Sequence, residues 1–501
     1  MEITSFVYLL FVTVSLLAYW MIPKGYQWYV LLADSIIFYF LNAKAYTFVY
    51  LVISVVSVWI AVNYFEKSDN QSRKKTVLII SLLINIGLLA TLKYTNLAIN
   101  TFNLIIGKIS SYHVDTVSWV ASLGISFYTL QITSYLLDSY WGVAKPEKNP
   151  LKILLFTSYF PLMVSGPINE YEKLSPLFYE EHRFDYDRVT HGMKRIAWGL
   201  LKKLAIANRL SIMINALWDN LDVYHGLWVW ILTMGYVFQL YADFSGCMDI
   251  ILGVSECFGV KLTENFNAPL LSKTIQEFWQ RWHITLGLWL KKYIMNPILK
   301  SNFMICIGDK AKKKFGKKIG KKIPLYMSML VLWLAMGVWH GNSWKYVIGE
   351  GLWFWIVIVL GQILEPLAGK IKIKDGVIRR TGQTIRTFLI FTVGMLFFRA
   401  DSLRDAVLRI KKSVGFNINL ETIKSAMKVT VVPAGKVGCF CLLLSFAALV
   451  VFDIYLYKGK DLIDIISKKN VCIRWMIYIL CIIMILASYN VGGKAFAYAQ
   501  F

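Results

Sequence analysis

Acidic residues are scarce in this chain: 30 Asp and Glu stand against 54 Lys and Arg, and all charged residues together make up only 17% of its 501 positions. A soluble domain carries roughly 25%, so a water-coated globule of this size is excluded. Cysteine is sparse and unpatterned. The seven, Cys247, Cys257, Cys306, Cys439, Cys441, Cys472 and Cys481, form an odd set with no Cys-x-x-Cys spacing. That excludes a disulfide scaffold and a zinc site and leaves them as small hydrophobes, with no metal expected. A Gly-x-Ser-x-Gly elbow, a Walker loop, a His-Glu-x-x-His motif and a Gly-x-Gly-x-x-Gly loop are all missing, and with them several common catalytic and nucleotide-binding chemistries. The first basic residue is Lys24 and no small-residue cleavage pattern follows the run 3–22, so that run reads as an uncleaved span and not as a signal peptide. Internal repeats, low-complexity tracts and a hydrophilic block large enough for a soluble domain are absent. The simplest description is one membrane-embedded domain over 1–501, with its core at 120–400 and C-terminal helices at 401–501.

What is abundant is apolar: 57% of residues, with a mean hydropathy of +0.53. Segments near the ~20 residues that cross a bilayer lie at 4–22, 27–42, 46–64, 76–92, 117–137, 227–243, 325–341, 345–367, 384–398, 436–456 and 473–491. Further apolar pieces at 94–107, 151–166, 244–260 and 278–290 are interrupted and suit re-entrant, interfacial or buried segments. The runs are long and lack strand alternation, so an all-α polytopic bundle of about 11 transmembrane helices is expected. The net charge of +24 reads as cytoplasmic loops held against anionic lipid and not as a nucleic-acid surface. The richest basic cluster is Lys310, Lys312, Lys313, Lys314, Lys317, Lys318, Lys321 and Lys322, placed as a cytoplasmic loop. Clusters at 370–386 and 458–474, each two spans further on, and Lys67, Arg73, Lys74 and Lys75 fit the same alternation, which puts both termini outside the cytoplasm. The stretch 401–414 is amphipathic and suits the outer interface. The polar stretch 168–195 reads as a surface loop.

Of the six histidines, His113, His182, His191 and His225 sit in polar or loop contexts, where solvation is the default. His283 and His340 do not. His340 ends an apolar run beginning near Pro324, about 24 Å away at 1.5 Å per residue, deep in or across the membrane. His283 lies in the Trp-rich segment 277–285 beside Trp279, Arg281 and Trp282. Ionisable groups at such depth face a cavity or a partner; a packing histidine bonded to a backbone carbonyl is the plain alternative for each. A buried neutral imidazole suits proton abstraction from a hydroxyl that attacks an acyl carbon, and a second could hold the carbonyl, orient the hydroxyl or carry the proton away. Asp243 and Asp249 read equally as helix caps or ion-pair partners.

Several blocks together resemble the membrane-bound O-acyltransferase family, in its alginate O-acetyltransferase branch. They are Gly166-Pro-Ile168, Tyr241-Ala-Asp-Phe-Ser-Gly246, Glu264-Asn-Phe-Asn-Ala-Pro269, Glu277-Phe-Trp-Gln-Arg-Trp-His-Ile-Thr285, Gly337-Val-Trp-His-Gly341, Phe397-Phe-Arg-Ala-Asp401 and the terminal Phe496-Ala-Tyr-Ala-Gln-Phe501. The resemblance implies that His340 matches the family's catalytic histidine and His283 its second active-site histidine, near the floor of a central funnel. Trp339, Asn342, Trp279, Arg281, Trp282, Asp243, Ser245, Asn265 and Asn267 are then candidates to line the substrate passage. It also implies an acyl thioester donor from the cytosol, acetyl-CoA by expectation, with no bound cofactor. The acceptor is a hydroxyl met from outside, on an exported cell-envelope polysaccharide or on a relay partner. An extracytoplasmic acyltransferase or esterase-like protein, or a polysaccharide synthase complex, is the expected partner beside membrane lipid. The teichoic-acid D-alanylation branch shares much of the middle block and remains an alternative. A transporter, or a scaffold whose histidines only pack, is the rival outside enzymology.

Overall fold

The computed structural model describes residues 1–368 and 376–489. The terminal motif at 496–501 and part of the 370–386 basic cluster lie outside the described residues. Every described element is a helix. The one strand-like pairing among the described residues is an isolated antiparallel bridge between Phe266 and Trp282. The protein is therefore an all-α polytopic membrane protein, with backbone hydrogen bonds closed within each helix as lipid requires.

Among the described residues, eight helices are long and apolar enough to cross a membrane: Ala45–Lys67, Gln71–Ile106, Leu227–Cys257, Lys322–His340, Trp344–Glu365, Val377–Arg399, Ala434–Tyr457 and Val471–Tyr489. Three of the eleven expected segments fall short of that length. Phe6–Met21 and Gln27–Asn42 have 16 residues each, and the segment expected at 117–137 becomes Ile125–Tyr140, also 16 residues. Ile125–Tyr140 is buried nearly throughout, Ser126, Gln131 and Asp138 included. Its apolar residues pack against protein, which hydropathy alone cannot tell from lipid contact. Burial separates the spans as well. In Leu227–Cys257, 89% of the apolar window is buried, against 11% in Val471–Tyr489, so the first is an interior helix and the second a lipid-facing one.

Several expectations are corrected. The pieces at 94–107 and 244–260 are not broken but continue the helices Gln71–Ile106 and Leu227–Cys257. Polar residues at the start of the first piece find partners: Lys93 Nζ, just before it, donates to Ser126 Oγ at 3.1 Å, and Asn96 exchanges hydrogen bonds of 2.9 Å with the Val117 backbone. The lysine cluster is helical and not a loop. It ends Asn302–Gly320, whose cap Ser301 accepts from the Met304 N–H, and it begins Lys322–His340; lysine is a good helix former. The stretch 168–195 folds into Tyr171–Tyr179 and Tyr186–Leu201, with Tyr171, Leu174 and Phe178 buried. His182 is accordingly buried, and His191 is half-buried with a protein partner. His182 Nε2 lies 2.7 Å from the Leu177 carbonyl, and its backbone N–H donates to Gln27 Oε1. His191 Nδ1 lies 2.8 Å from Glu256 Oε1, and Arg195 Nε donates to Asp249 Oδ1 at 3.1 Å. Asp249 is thus an ion-pair partner.

The contact pattern divides the chain into two compact units, Met1–Ile196 with Met248–Thr263, and Ala197–Cys247 with Glu264–Phe501. The first has an aromatic and hydroxyl-rich interior: Tyr39 Oη lies 2.8 Å from both Thr47 Oγ1 and Ser122 Oγ, and the Tyr135 ring stacks on Tyr171 at 4.0 Å. The second holds His283, His340 and all nine candidate lining residues. It also holds three π-helical turns, Lys202–Asn208, Lys291–Met295 and Val347–Leu352, a rare conformation enriched at functional sites.

Candidate active site

The two sequence blocks 264–269 and 277–285 fold into one tight structure. Asn267 N–H donates to the Arg281 carbonyl at 3.0 Å and Ile284 N–H to the Asn265 carbonyl at 3.1 Å, flanking the Phe266–Trp282 bridge. Asn265 Oδ1 gathers the Thr285 N–H at 3.1 Å and the Thr285 hydroxyl at 2.9 Å, with His283 Nδ1 at 3.3 Å. His283 sits between the helices Ile275–Arg281 and Ile284–Leu290 with φ +48°, and Ala268 has φ +46°. Left-handed backbone is costly for side chains with a Cβ, by roughly 1–2 kcal/mol, and such strain collects at functional sites. Burial pushes the His283 imidazole down to about 3, so it is neutral at pH 7.

His340 is the last residue of Lys322–His340, and its side chain is 3% exposed. Its Nε2 lies 3.1 Å from Oε1 of Glu350, which is 4% exposed and stands in the π-helical turn Val347–Leu352. Glycines bring these helices together. A Cβ on Gly337 would meet the Tyr346 carbonyl oxygen at 2.7 Å, and one on Gly351 the Trp333 carbonyl oxygen at 2.9 Å; small residues allow such backbone approach between membrane helices. Trp339 packs on both histidines, 5.0 Å from His340 and 5.8 Å from His283, and Phe398 closes the other side of His340 at 5.8 Å. The two imidazoles lie 6.4 Å apart at 69°.

Of the candidate lining residues, Trp339 and Asn265 touch the histidine pair. Asp243 and Ser245 flank Phe244, whose ring meets His283 edge-on at 4.9 Å. Both are tied to a π-helical turn: Lys203 Nζ donates to Asp243 Oδ1 at 2.5 Å and Lys202 Nζ to Ser245 Oγ at 2.9 Å. Trp282 stacks on Phe278 at 5.6 Å and Trp279 packs on Phe354 at 4.8 Å, forming an aromatic shell behind the pair. Arg281 is engaged with Glu277 Oε1 at 3.0 Å, the Asn267 carbonyl at 3.1 Å and the Tyr457 ring at 4.5 Å. It therefore closes the 264–285 structure. Asn267 lends its backbone to the same closure, and Asn342 is exposed. A cavity of about 230 Å³ with apolar walls, among them Phe238, Phe388 and Phe446, lies beyond this shell. Its one acid, Asp453, accepts from Tyr241 Oη at 2.8 Å, and Tyr241 packs 6.0 Å from Trp282.

Glu350, Phe244 and Phe398 are missing from the sequence-derived set. Glu350 carried a usable signal, an acid within the apolar run 345–364, which at membrane depth demands a partner.

Residues 107–305 match the membrane-bound O-acyltransferase family. The chain is 29% identical over 419 residues to the peptidoglycan O-acetyltransferase of Helicobacter pylori, spanning 77% of this chain and 73% of that protein. It is 27% identical over 406 residues to a probable alginate O-acetylase of Pseudomonas aeruginosa, spanning 79% and 71%. It is 30% identical over 262 residues to the teichoic acid D-alanyltransferase of Bacillus subtilis, spanning 50% of this chain and 62% of that one. With its spans, its buried histidine pair and these relatives together, the chain is similar to the membrane-bound O-acyltransferase family over its middle segment and is a multi-pass membrane O-acyltransferase.

Proposed function

We propose that the enzyme moves an acetyl group from acetyl-CoA on the cytoplasmic side to a hydroxyl of an exported cell-envelope polysaccharide, or of a relay partner, with His340 as general base. The observation that carries the reading is the pair of imidazoles 6.4 Å apart among aromatic side chains that exclude water. Nε2 of His340 lies 3.1 Å from Glu350 Oε1; read as an Nε2–H donated to that oxygen, the contact leaves the lone pair on Nδ1. That nitrogen takes the proton of the acceptor hydroxyl as its oxygen attacks the thioester carbonyl carbon. The C–S bond breaks, the new ester C–O bond remains, and the imidazolium returns the proton to the departing CoA thiolate. General-base assistance of this kind supplies about 10²–10⁴-fold. Dryness matters as much, because water would hydrolyse the thioester. His283, with Nδ1–H donated to Asn265 Oδ1, presents Nε2 as an acceptor. It is suited to orienting the hydroxyl or passing the proton on, and not to polarising the carbonyl.

The acetyl reading is favoured over D-alanyl transfer by extent. Similarity to the O-acetylating relatives spans 77–79% of the chain and to the D-alanyltransferase 50%. The lysine-rich segment 310–322 supplies positive charge for the anionic CoA head, on the face read as cytoplasmic; both termini then lie outside. The partner remains an extracytoplasmic esterase-like or acyltransferase protein, or a synthase complex.

The test offers labelled acetyl-CoA and a labelled D-alanyl thioester separately to the purified chain in lipid nanodiscs. Acetyl-CoA turnover, to ester or to free acetate, is expected. Turnover of the D-alanyl donor alone would overturn the donor assignment, and solute flux without either would return the transporter reading.

A further inference from the structure

We propose that Glu350 is a positioning residue for His340: through Oε1 it holds the imidazole in the Nε2–H tautomer, so that Nδ1 is the nitrogen turned to the reaction. This rests on His340 being the base and adds to that reading the residue that sets its tautomer.

Four observations converge on it. The Nε2 to Oε1 distance is 3.1 Å with both side chains under 5% exposed, so water cannot substitute for the contact. The acid stands within a membrane-spanning helix, Trp344–Glu365, where a carboxyl is retained for a partner or a function. The helix carries it in a π-helical turn, Val347–Leu352, which inserts a residue and rotates the following side chains relative to an ordinary α-helix. Gly337 and Gly351 let the Glu350 helix reach the His340 helix backbone to backbone, and Gly349 admits the Phe397 side chain, with its Cβ position only 2.1 Å from Phe397 Cβ.

The surroundings explain why an acid is needed. Trp339 and Phe398 hold the His340 ring by its faces and edges, and aromatic packing does not distinguish the two tautomers. A hydrogen-bond acceptor on one nitrogen does, because the proton settles on the nitrogen that has the acceptor. Glu350 Oε2 is buried and has no hydrogen-bond partner among the described residues. A buried polar atom left in that state is destabilising, and a carboxyl kept for packing alone would not be arranged so. One oxygen on the imidazole and one without a partner fit a group that receives more charge interaction when the imidazolium forms.

The test uses the full chain in nanodiscs with labelled acetyl-CoA and three variants, Glu350→Gln, Glu350→Leu and His340→Ala, read by steady-state kinetics and by ¹⁵N solid-state NMR of histidine-labelled protein. Glu350→Leu is expected to lower kcat about 10²–10⁴-fold with KM for acetyl-CoA within about threefold of wild type. The His340 signals should move from the Nε2–H tautomer to a mixture. Glu350→Gln keeps a carbonyl acceptor of the same shape and is expected to hold the tautomer while losing about tenfold in kcat. Should Glu350→Leu fail to fold, Glu350→Gln carries the decision. Wild-type kcat in folded Glu350→Gln, or a wild-type tautomer in folded Glu350→Leu, would overturn the proposal. Full activity of His340→Ala would overturn the reading of the base instead, so the two failures are distinguishable.

Discussion

The imidazoles of His283 and His340 lie 6.4 Å apart, inclined at 69°, with the Trp339 indole packed against both. Their supports differ in kind. His283 is held by strained backbone and the Asn265 side chain, whereas His340 ends a long helix and leans on an acid from the next one. Strained backbone holds the first ring in place, and on the proposed reading the carboxyl beside the second decides which of its nitrogens carries the proton.

Burial of His283 makes stability depend on pH in a definite direction. Its folded pKa, about 3, lies below the ordinary histidine value of 6.5. The unfolded chain therefore takes up a proton as pH falls through 6.5, while the folded chain does not. The contribution is fully present above pH 6.5 and is lost at about 1.4 kcal/mol per pH unit below it, down towards pH 3. His283→Asn, a residue that tolerates left-handed backbone, removes this slope. Thermal unfolding of both proteins at pH 7.5 and 5.5 checks it, and wild type should lose more stability on acidification than the variant.

The buried pair Lys203–Asp243, 5% and 3% exposed, is read as holding the Leu227–Cys257 helix in register beside His283 and not as reacting. Lys203→Met alone strands a buried carboxylate and should cost about 3–5 kcal/mol. Lys203→Met combined with Asp243→Leu should recover most of that, because an apolar replacement of a buried pair is often neutral. Denaturation midpoints of the single and double variants decide it, and the double variant should retain measurable transfer.

Close approach at Gly337 makes its methyl the sharpest steric probe of the His340–Glu350 contact. Gly337→Ala places a carbon 2.7 Å from the Tyr346 carbonyl oxygen and should destabilise by about 1–3 kcal/mol while lowering activity. Gly382→Ala, where nothing lies within 4 Å, is the control and should be neutral or stabilising by roughly 0.5–1 kcal/mol. Melting temperature and acetyl transfer are measured together for both.

The helical class, eight of the spans and the two histidines were legible because apolar run length and a lone ionisable group in such a run are local signals. The closure of 264–269 onto 277–285 was visible only as two separate blocks near each other in the chain; that Asn265 binds His283 and Thr285 is a tertiary fact. Glu350 escaped because averaged hydropathy dilutes one acid among its apolar neighbours, and a π-helical turn has no clear sequence signature. Polar content misled at 168–195. Buried Tyr171 and Phe178 recur at helical spacing there, and the partners of His191 and Arg195 lie far along the chain.

The role of His340 as the base is tested most simply by comparing purified wild-type protein and His340→Ala with labelled acetyl-CoA, counting acetyl transferred and acetyl released. A fall of at least 10²-fold is expected in the variant, with the protein still folded by thermal melt. Undiminished transfer or release by folded His340→Ala would contradict it.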